Sequence, residues 1–238
     1  MISKNLVKFS FSRFAESYSR EAYLQEKASK DLIQFGKENI RGLGLDLGSG
    51  TGYISKNLKS FNCYLINLDI SREMLKQSKI KTFPLIQGDI ENLPFKNNSF
   101  DFVLSSFSLH WTNLNSSFKE INRILKEDSY FIFNIPIKGS LEFINFLLKS
   151  EKFKFLSKEE ILFLLEKYNF QLDKVKILDY CIDFEDGYRL LLHLHKTGVS
   201  LNTNDNNFKR KRLIVSKFKN WQKKCSLNYK LLYVKVKK

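Results

Sequence analysis

Gly44-Leu45-Asp46-Leu47-Gly48-Ser49-Gly50-Thr51-Gly52 is a short apolar run that ends in an acid and opens into a glycine loop. Glycines let the backbone turn tightly and let a ligand approach it without side-chain obstruction. A second acid, Asp69, closes the next apolar run, and a third, Asp89, follows a Gly. An acid at the end of a strand can accept hydrogen bonds from both hydroxyls of a ribose, so the three together describe a nucleoside pocket. Spacing decides which nucleoside. A dinucleotide fingerprint requires Gly-x-Gly-x-x-Gly, but after Gly48 and Gly50 the third position is Tyr53, and the extra glycine comes one residue early at Gly52. Nicotinamide binding is thereby disfavoured; another nucleotide, or a purely structural glycine loop, is the competing reading.

Outward from this loop, apolar runs alternate with helical patterns. Arg13 to Lys37 reads as one helix, because Phe14, Tyr18, Leu24, Ala28, Leu32 and Phe35 recur at helical spacing. Strands are predicted at Leu43 to Leu47, Tyr64 to Leu68, Pro84 to Gln87, Phe100 to Ser105 and Tyr130 to Ile135. Helices are predicted at Gly52 to Leu58, Arg72 to Lys79 with Ser71 as N-cap, and Ser116 to Leu125. Phe100 to Ser105 is nearly all apolar, as suits a strand buried on both faces. Further on, helices are expected at Leu141 to Leu148, at Lys158 to Tyr168 behind the capping box Ser157-Lys158-Glu159-Glu160, at Tyr188 to Lys196 stopping at Gly198, and at Arg212 to Lys223. Gln171 to Phe184 and Leu227 to Val236 read as strands, and Asn202 to Asn207 as a loop. The order implies an α/β fold, a Rossmann-like, doubly wound, mostly parallel seven-stranded sheet with its ligand at the carboxyl ends of the strands and a helical lid. One domain is expected over 1–238. Its N-terminal lid segment covers 1–40, its cofactor-binding core 41–136, and its cap or lid insertions 137–170 and 187–224.

The chain has 238 residues and a formal charge of +15. No run is long and apolar enough for a bilayer-crossing helix or a signal-peptide core, so a soluble, cytoplasmic protein, monomeric by default, is expected. Cys63, Cys181 and Cys225 are widely spaced, odd in number and away from the histidines, which suggests neither a disulfide framework nor a zinc site. Phe208 to Lys238 holds twelve Lys and Arg and no Asp or Glu, a stretch that would attract RNA, a membrane surface or an acidic carrier protein. The chain is rich in Lys, Asn, Ile and Phe throughout, so codon bias in an AT-rich genome explains the same charge without a partner.

The acid-led loop Asp46-x-Gly48-x-Gly50-x-Gly52 resembles that of class I S-adenosylmethionine-dependent methyltransferases. That resemblance implies S-adenosyl-L-methionine as cofactor. Asp46, Gly48 and Gly50 would lie at its amino-acid end, Asp69 at the ribose, and Ile70 and Met74 against the adenine. Asp89, in Gly88-Asp89-Ile90-Glu91-Asn92-Leu93-Pro94, would accept the adenine amino group. Tyr18, Ile90 and Ser106 complete the set implied for the cofactor.

Ser106 to Trp111 would reach the mouth of the sheet, and Leu109-His110-Trp111 resembles a segment of plant carboxyl methyltransferases. In that resemblance Trp111, His110 and Gln25 would hold an acceptor carboxylate. The pairing is physically sensible, since a carboxylate is ionised at neutral pH and needs no general base. Alignment by a few weak donors is then what remains, because a tight cationic clamp would stabilise the ground state more than the transition state. A packing aromatic at 111 and a core or solvent-facing histidine at 110 are the plain alternatives.

Phe11-Ser12-Arg13-Phe14-Ala15-Glu16-Ser17-Tyr18, Leu24-Gln25, Gly139-Ser140-Leu141-Glu142-Phe143 and Leu194-His195-Lys196-Thr197-Gly198 extend the likeness. Together they resemble the malonyl-acyl-carrier-protein O-methyltransferases of biotin synthesis. The resemblance implies esterification of the free carboxyl of a malonyl thioester on acyl carrier protein, an acidic partner that Lys and Arg within 208–224 could dock. His110 stands where glutamine is more usual before Trp111, and Glu127-Asp128 replaces the usual Pro-Gly. Competing readings are an RNA or other small-molecule methyltransferase, a complex I assembly-factor-like arginine hydroxylase, and a catalytically silent binding module. The acceptor-side residues argue against nucleic acid, which calls for stacking groups around a base.

Overall fold

The computed structural model describes residues 3–78, 82–149, 154–197 and 208–238. Seven strands form one sheet: β1 (Gly42–Leu47), β2 (Cys63–Asp69), β3 (Leu85–Gln87), β4 (Phe100–Ser106), β5 (Leu125–Pro136), β6 (Gln171–Phe184) and β7 (Cys225–Lys237). Their spatial order is β3-β2-β1-β4-β5-β7-β6. The five strands from β3 to β5 are mutually parallel, and β7 runs antiparallel to both its neighbours. The chain reverses direction across the sheet between β1 and β4. That switch point leaves a crevice at their carboxyl ends, and the glycine loop opens there.

Alternation along the central strands explains why both faces are covered. Phe102, Leu104, Ile132 and Tyr233 point to one side, under α2 (Tyr23–Gly36), α3 (Tyr53–Asn57), α6 (Glu142–Leu148), α8 (Gly187–Lys196) and α9 (Phe208–Asn220). Val103, Phe131, Phe133 and Val234 point to the other, under α5 (Leu114–Ile124) and α7 (Lys158–Lys167). Phe100, Phe102, Val103 and Leu104 are all buried, as the unbroken apolar run predicts. The capping box is formed, with Ser157 accepting from the Glu160 N–H and Glu160 accepting from the Ser157 N–H.

The sequence expectation needs four corrections. The helix assigned to Arg13 to Lys37 is two: α1 (Lys4–Glu21) begins nine residues earlier, and the chain breaks at Ala22 before α2. Neither Gly nor Pro marks that break. It is tertiary: Ala22 is fully buried, and Glu21 beside it meets Lys196 Nζ at 2.7 Å on α8. The next helix, α4 (Arg72–Lys76), ends before the expected Lys79, which lies outside the described residues. Strand β5 begins at Leu125, not Tyr130, because the chain bulges through Asp128 at φ +63° and re-pairs with β4. Finally, α9 spans Phe208–Asn220, not Arg212 to Lys223. Gly198 and Asn202 to Asn207 lie outside the described residues.

Gly44 shows how tightly the centre is packed. A Cβ there would sit 2.0 Å from Phe102 Cζ, whose ring lies across β1. Gly44→Ala is expected to lose about 1–3 kcal/mol of stability through overpacking, read as a lower denaturant midpoint with unchanged slope. An unchanged midpoint would show that the Phe102 ring can yield.

Candidate active site

The β1–α3 loop is built from left-handed backbone, with Gly48 at φ +69° and Gly50 at φ +55°. At Gly48 a side chain is excluded twice, since a Cβ would lie 2.3 Å from Ser108 Cβ on the neighbouring loop. The Gly48 and Ser49 N–H groups donate to Leu68 O at 2.8 and 3.0 Å, and Gly50 N–H donates to Asp69 Oδ2 at 2.8 Å. Ser71 N–H donates to Asp69 Oδ1 at 2.8 Å. The loop is thus fastened to the end of β2, and Asp69 is held by two backbone donors at the floor of a cleft.

That cleft has two lobes sharing Tyr18, Gly48, Gly50 and Ser106. The larger encloses about 690 Å³ of open space and the smaller about 340 Å³. Gln25, Asp46, Ser49 and Thr51 line the smaller. Gln25 Oε1, both Asp46 carboxylate oxygens, Ser49 Oγ and Thr51 Oγ1 are buried there without a hydrogen-bond partner. All five can accept, and leaving such atoms unpaired costs about 1–3 kcal/mol each. A ligand group rich in donors, above all an ammonium, is what this lobe fits.

The larger lobe carries apolar Val7, Ile70, Met74 and Ile90, with Asp69, Asp89 and Glu91 on its walls. A purine face with a ribose edge matches that lining. Asp89 is already engaged: Lys4 Nζ lies 2.7 Å from Oδ2, and Glu91 N–H donates to Oδ1 at 2.9 Å. Lys4 also meets Glu91 Oε2 at 2.9 Å.

Burial and mutual repulsion raise the Asp46 carboxyl well above its ordinary range, the larger cause being burial. Burial also pushes Asp69 up to about 6, against the lowering effect of its backbone donors. Burial likewise raises the Tyr18 phenol, which stays protonated.

On the acceptor side, Phe107, Ser108, Trp111 and Thr112 line the larger lobe. Phe107 holds φ +54°, a left-handed conformation that bulky residues rarely adopt, at a cost of about 1–3 kcal/mol. Asn134, buried in β5, compensates it by accepting from the Phe107 N–H at 3.0 Å and donating to Ala28 O at 3.2 Å. The bend turns the chain into the 3-10 turn Leu109–Trp111. Trp111 packs edge-on against Phe11 at 5.8 Å, beneath α1.

Most sequence-predicted residues converge here: Tyr18, Asp46, Gly48, Gly50, Asp69, Ile70, Met74, Asp89, Ile90, Ser106 and Trp111 all line one lobe or the other. Two are placed differently. Gln25 lies with Asp46 in the smaller lobe, not beside Trp111 in the larger. His110 lines neither lobe; it packs against Trp111 at 4.7 Å, and burial pushes its pKa down to about 3, so it is a neutral imidazole. Lys4, Val7, Phe11, Phe107 and Asn134 were missed. The signal for the first three is their spacing, since 4, 7, 11 and 18 fall on one helical face.

Comparison with known proteins agrees with this geometry. Residues 45–133 match the family described as methyltransferase domain. The malonyl-[acyl-carrier protein] O-methyltransferase of Yersinia pestis is 30% identical over 145 residues, 59% of this chain and 54% of that protein. An uncharacterized protein of Methanocaldococcus jannaschii is 39% identical over 135 residues, 54% of this chain and 51% of that one. The matched stretch spans about half the length of these curated relatives. A Thermotoga maritima structure, described as a SAM-dependent methyltransferase and possible histamine N-methyltransferase, superposes with TM-score 0.61 at 22% identity, covering 97% of this chain and 99% of that one.

Residues 45–133 thus match a methyltransferase domain, and the sheet around them shares the fold of that Thermotoga maritima structure. The two lobes of the cleft fit a nucleoside ligand with a donor-rich end, that end in one lobe and the nucleoside in the other.

A cationic ligand favours the ionised form of nearby acids. Affinity for S-adenosylmethionine is thus expected to fall by up to about tenfold per unit below about pH 6, as Asp69 protonates, with Asp46 acting in the same direction. Asp69→Asn should remove the step near 6. Calorimetric titration across this range reads both, and a pH-independent affinity would contradict the assignment.

Proposed function

We propose that this chain methylates a carboxylate, the free carboxyl of a malonyl thioester on acyl carrier protein, giving the methyl ester that enters biotin (pimeloyl) synthesis. The observation that carries the reading is the character of the acceptor end of the larger lobe. Trp111 offers an indole N–H, the hydroxyls of Ser108 and Thr112 donate to Leu47 O and Leu109 O, and Phe11 and Phe107 supply apolar wall. His110 is held neutral, and the acids across the lobe are tied to Lys4 or to backbone donors. Among the described residues the acceptor end of this site offers no free base and no cationic clamp, so it suits an acceptor that is already ionised and needs only aiming. The likeness to the malonyl-[acyl-carrier protein] O-methyltransferase of Yersinia pestis supports the same acceptor.

Bound S-adenosylmethionine would supply an electrophilic methyl on a sulfonium. Asp46, with Gln25, Ser49 and Thr51, would hold the amino-acid end, and Gly48 and Gly50 would let it lie against the loop. Asp69 would take the ribose hydroxyls, and Ile70, Met74 and Ile90 the purine. Trp111 would donate one hydrogen bond to the acceptor carboxylate, enough to orient it without stabilising its charge strongly. Helix α1, with Val7, Phe11 and Tyr18 facing the cleft, would exclude water as its lid. In this assignment Gln25 serves the cofactor and not the acceptor, and His110 acts by packing behind Trp111.

Trp111→Phe is expected to keep cofactor affinity and to slow turnover about ten- to a hundredfold, the loss of one positioned donor. The assay follows label from S-adenosylmethionine into a base-labile ester on malonyl carrier protein. Undiminished turnover would remove Trp111 from the mechanism, and label appearing on RNA instead would replace the acceptor.

A further inference from the structure

Helices α6 and α9 carry aromatic surface that the cleft does not use. Phe146 is 68% exposed on α6. Beside it Phe143 and Trp221 are half-buried, with Trp221 5.1 Å from Phe143 and 6.3 Å from Phe146, both edge-on. The Trp221 indole nitrogen has no partner. Single exposed apolar residues need no explanation, but three clustered rings of which one is largely solvated mark an interaction site.

The border of this patch is mainly cationic. Lys217 on α9 donates to Leu148 O at the end of α6, and Lys219 lies over the Tyr188 ring at 5.4 Å. Arg212, Lys223, Lys224 and Lys149 are exposed. From Arg212 to Lys224 no acid occurs, and on α6 the one acid is Glu142 in its first turn. The border's acids are Glu142, before Phe143, and Asp186, before the Gly187 N–H that donates to Trp221 O. An apolar centre whose border is mainly cationic is complementary to a partner of net negative charge that has an apolar stripe, the pattern of an acidic amphipathic helix.

Its place in the fold links the patch to the cleft. Strand β5 ends at Pro136, opposite Leu231, whereas β6 and β7 stay paired as far as Phe184 and Cys225. At roughly 3.3 Å per residue that is about 20 Å of ribbon projecting past the carboxyl edge where the cleft opens. Trp221 lies four residues before this projecting end of β7, which begins at Cys225. The chain between β5 and α7 reaches back to the acceptor side, with Phe155 6.0 Å from His110 and Lys138 N–H donating to Leu156 O.

We propose that the Phe143–Phe146–Trp221 patch and its lysine border are the docking surface for an acidic helix of the carrier protein that presents the acceptor to the Trp111 end of the cleft. For the identity of that partner the proposal rests on the carboxylate reading above; the location and chemistry of the surface do not.

The test measures binding and transfer separately, on the full chain. Fluorescence anisotropy with labelled malonyl carrier protein is expected to show about tenfold or greater weakening for Phe146→Asp and for Lys219→Glu, with added salt weakening wild-type binding more than that of Lys219→Glu. Neither residue touches the cleft, so both variants should keep the wild-type melting temperature and affinity for S-adenosylmethionine. Carrier binding that is unchanged in both variants, or absent from the wild type, overturns the proposal, the latter also if the wild type binds RNA instead. Binding lost in the variants while the wild type transfers no methyl to the bound carrier would uphold the surface and remove only the acceptor assignment.

Discussion

Two buried carboxylates at the ends of adjacent parallel strands, Asp46 on β1 and Asp69 on β2, repel one another across the cleft floor. Asp69 is partly satisfied by the N–H groups of Gly50 and Ser71, whereas Asp46 has no partner at either oxygen. Burying an uncompensated acid is costly, and a fold retains that cost where a ligand removes it. The glycine loop is shaped around this pair. Its left-handed backbone leaves room above Asp46, and its amides are turned onto the end of β2. The sequence of the loop, the lobe beside it and the charge of the ligand it fits are consequences of one electrostatic arrangement.

A second constraint aims the acceptor side. The chain leaving β4 must turn sharply at Phe107 to bring Trp111 over the same cleft, and it does so in a strained conformation secured by Asn134. Asn134 also donates to the carbonyl of Ala28, so the strained turn is tied to α2, the helix that carries Gln25. From above, α1 closes the cleft with a single face and an ion pair from Lys4 to Asp89 and Glu91. Glu91 in turn accepts from the Asn113 N–H, which opens α5 just after Trp111. Nucleoside side and acceptor side therefore share their supports, and a change in either is felt at the other.

Much of this was legible in the sequence because it rests on local chemistry. Asp46, Asp69 and Asp89 stand at strand ends that apolar runs define, and Gly48 and Gly50 occupy positions where only glycine is comfortable. Sheet order and the carboxyl-edge cleft follow from the alternation of strands and helices. What escaped depends on contacts far apart in the chain. The break at Ala22 has no glycine or proline and is made by packing against α8. The start of α1 has Ser3 before it, but that side chain makes no cap, so the usual signature is silent. Lys4 meets Asp89 across 85 positions of sequence. Gln25 and His110 were assigned by likeness to a segment, which identifies neighbours along the chain but not the side of a wall on which a residue falls.

The central claim, that the unpartnered carboxylate of Asp46 awaits the cationic end of a nucleoside ligand, is tested most directly by a crystal structure with S-adenosylhomocysteine. The account requires the ammonium in the lobe of Gln25, Asp46, Ser49 and Thr51, the ribose on Asp69, and the purine between Ile70, Met74 and Ile90. Density for the ligand in the reverse orientation, or a site that stays empty at saturating concentration, would contradict it.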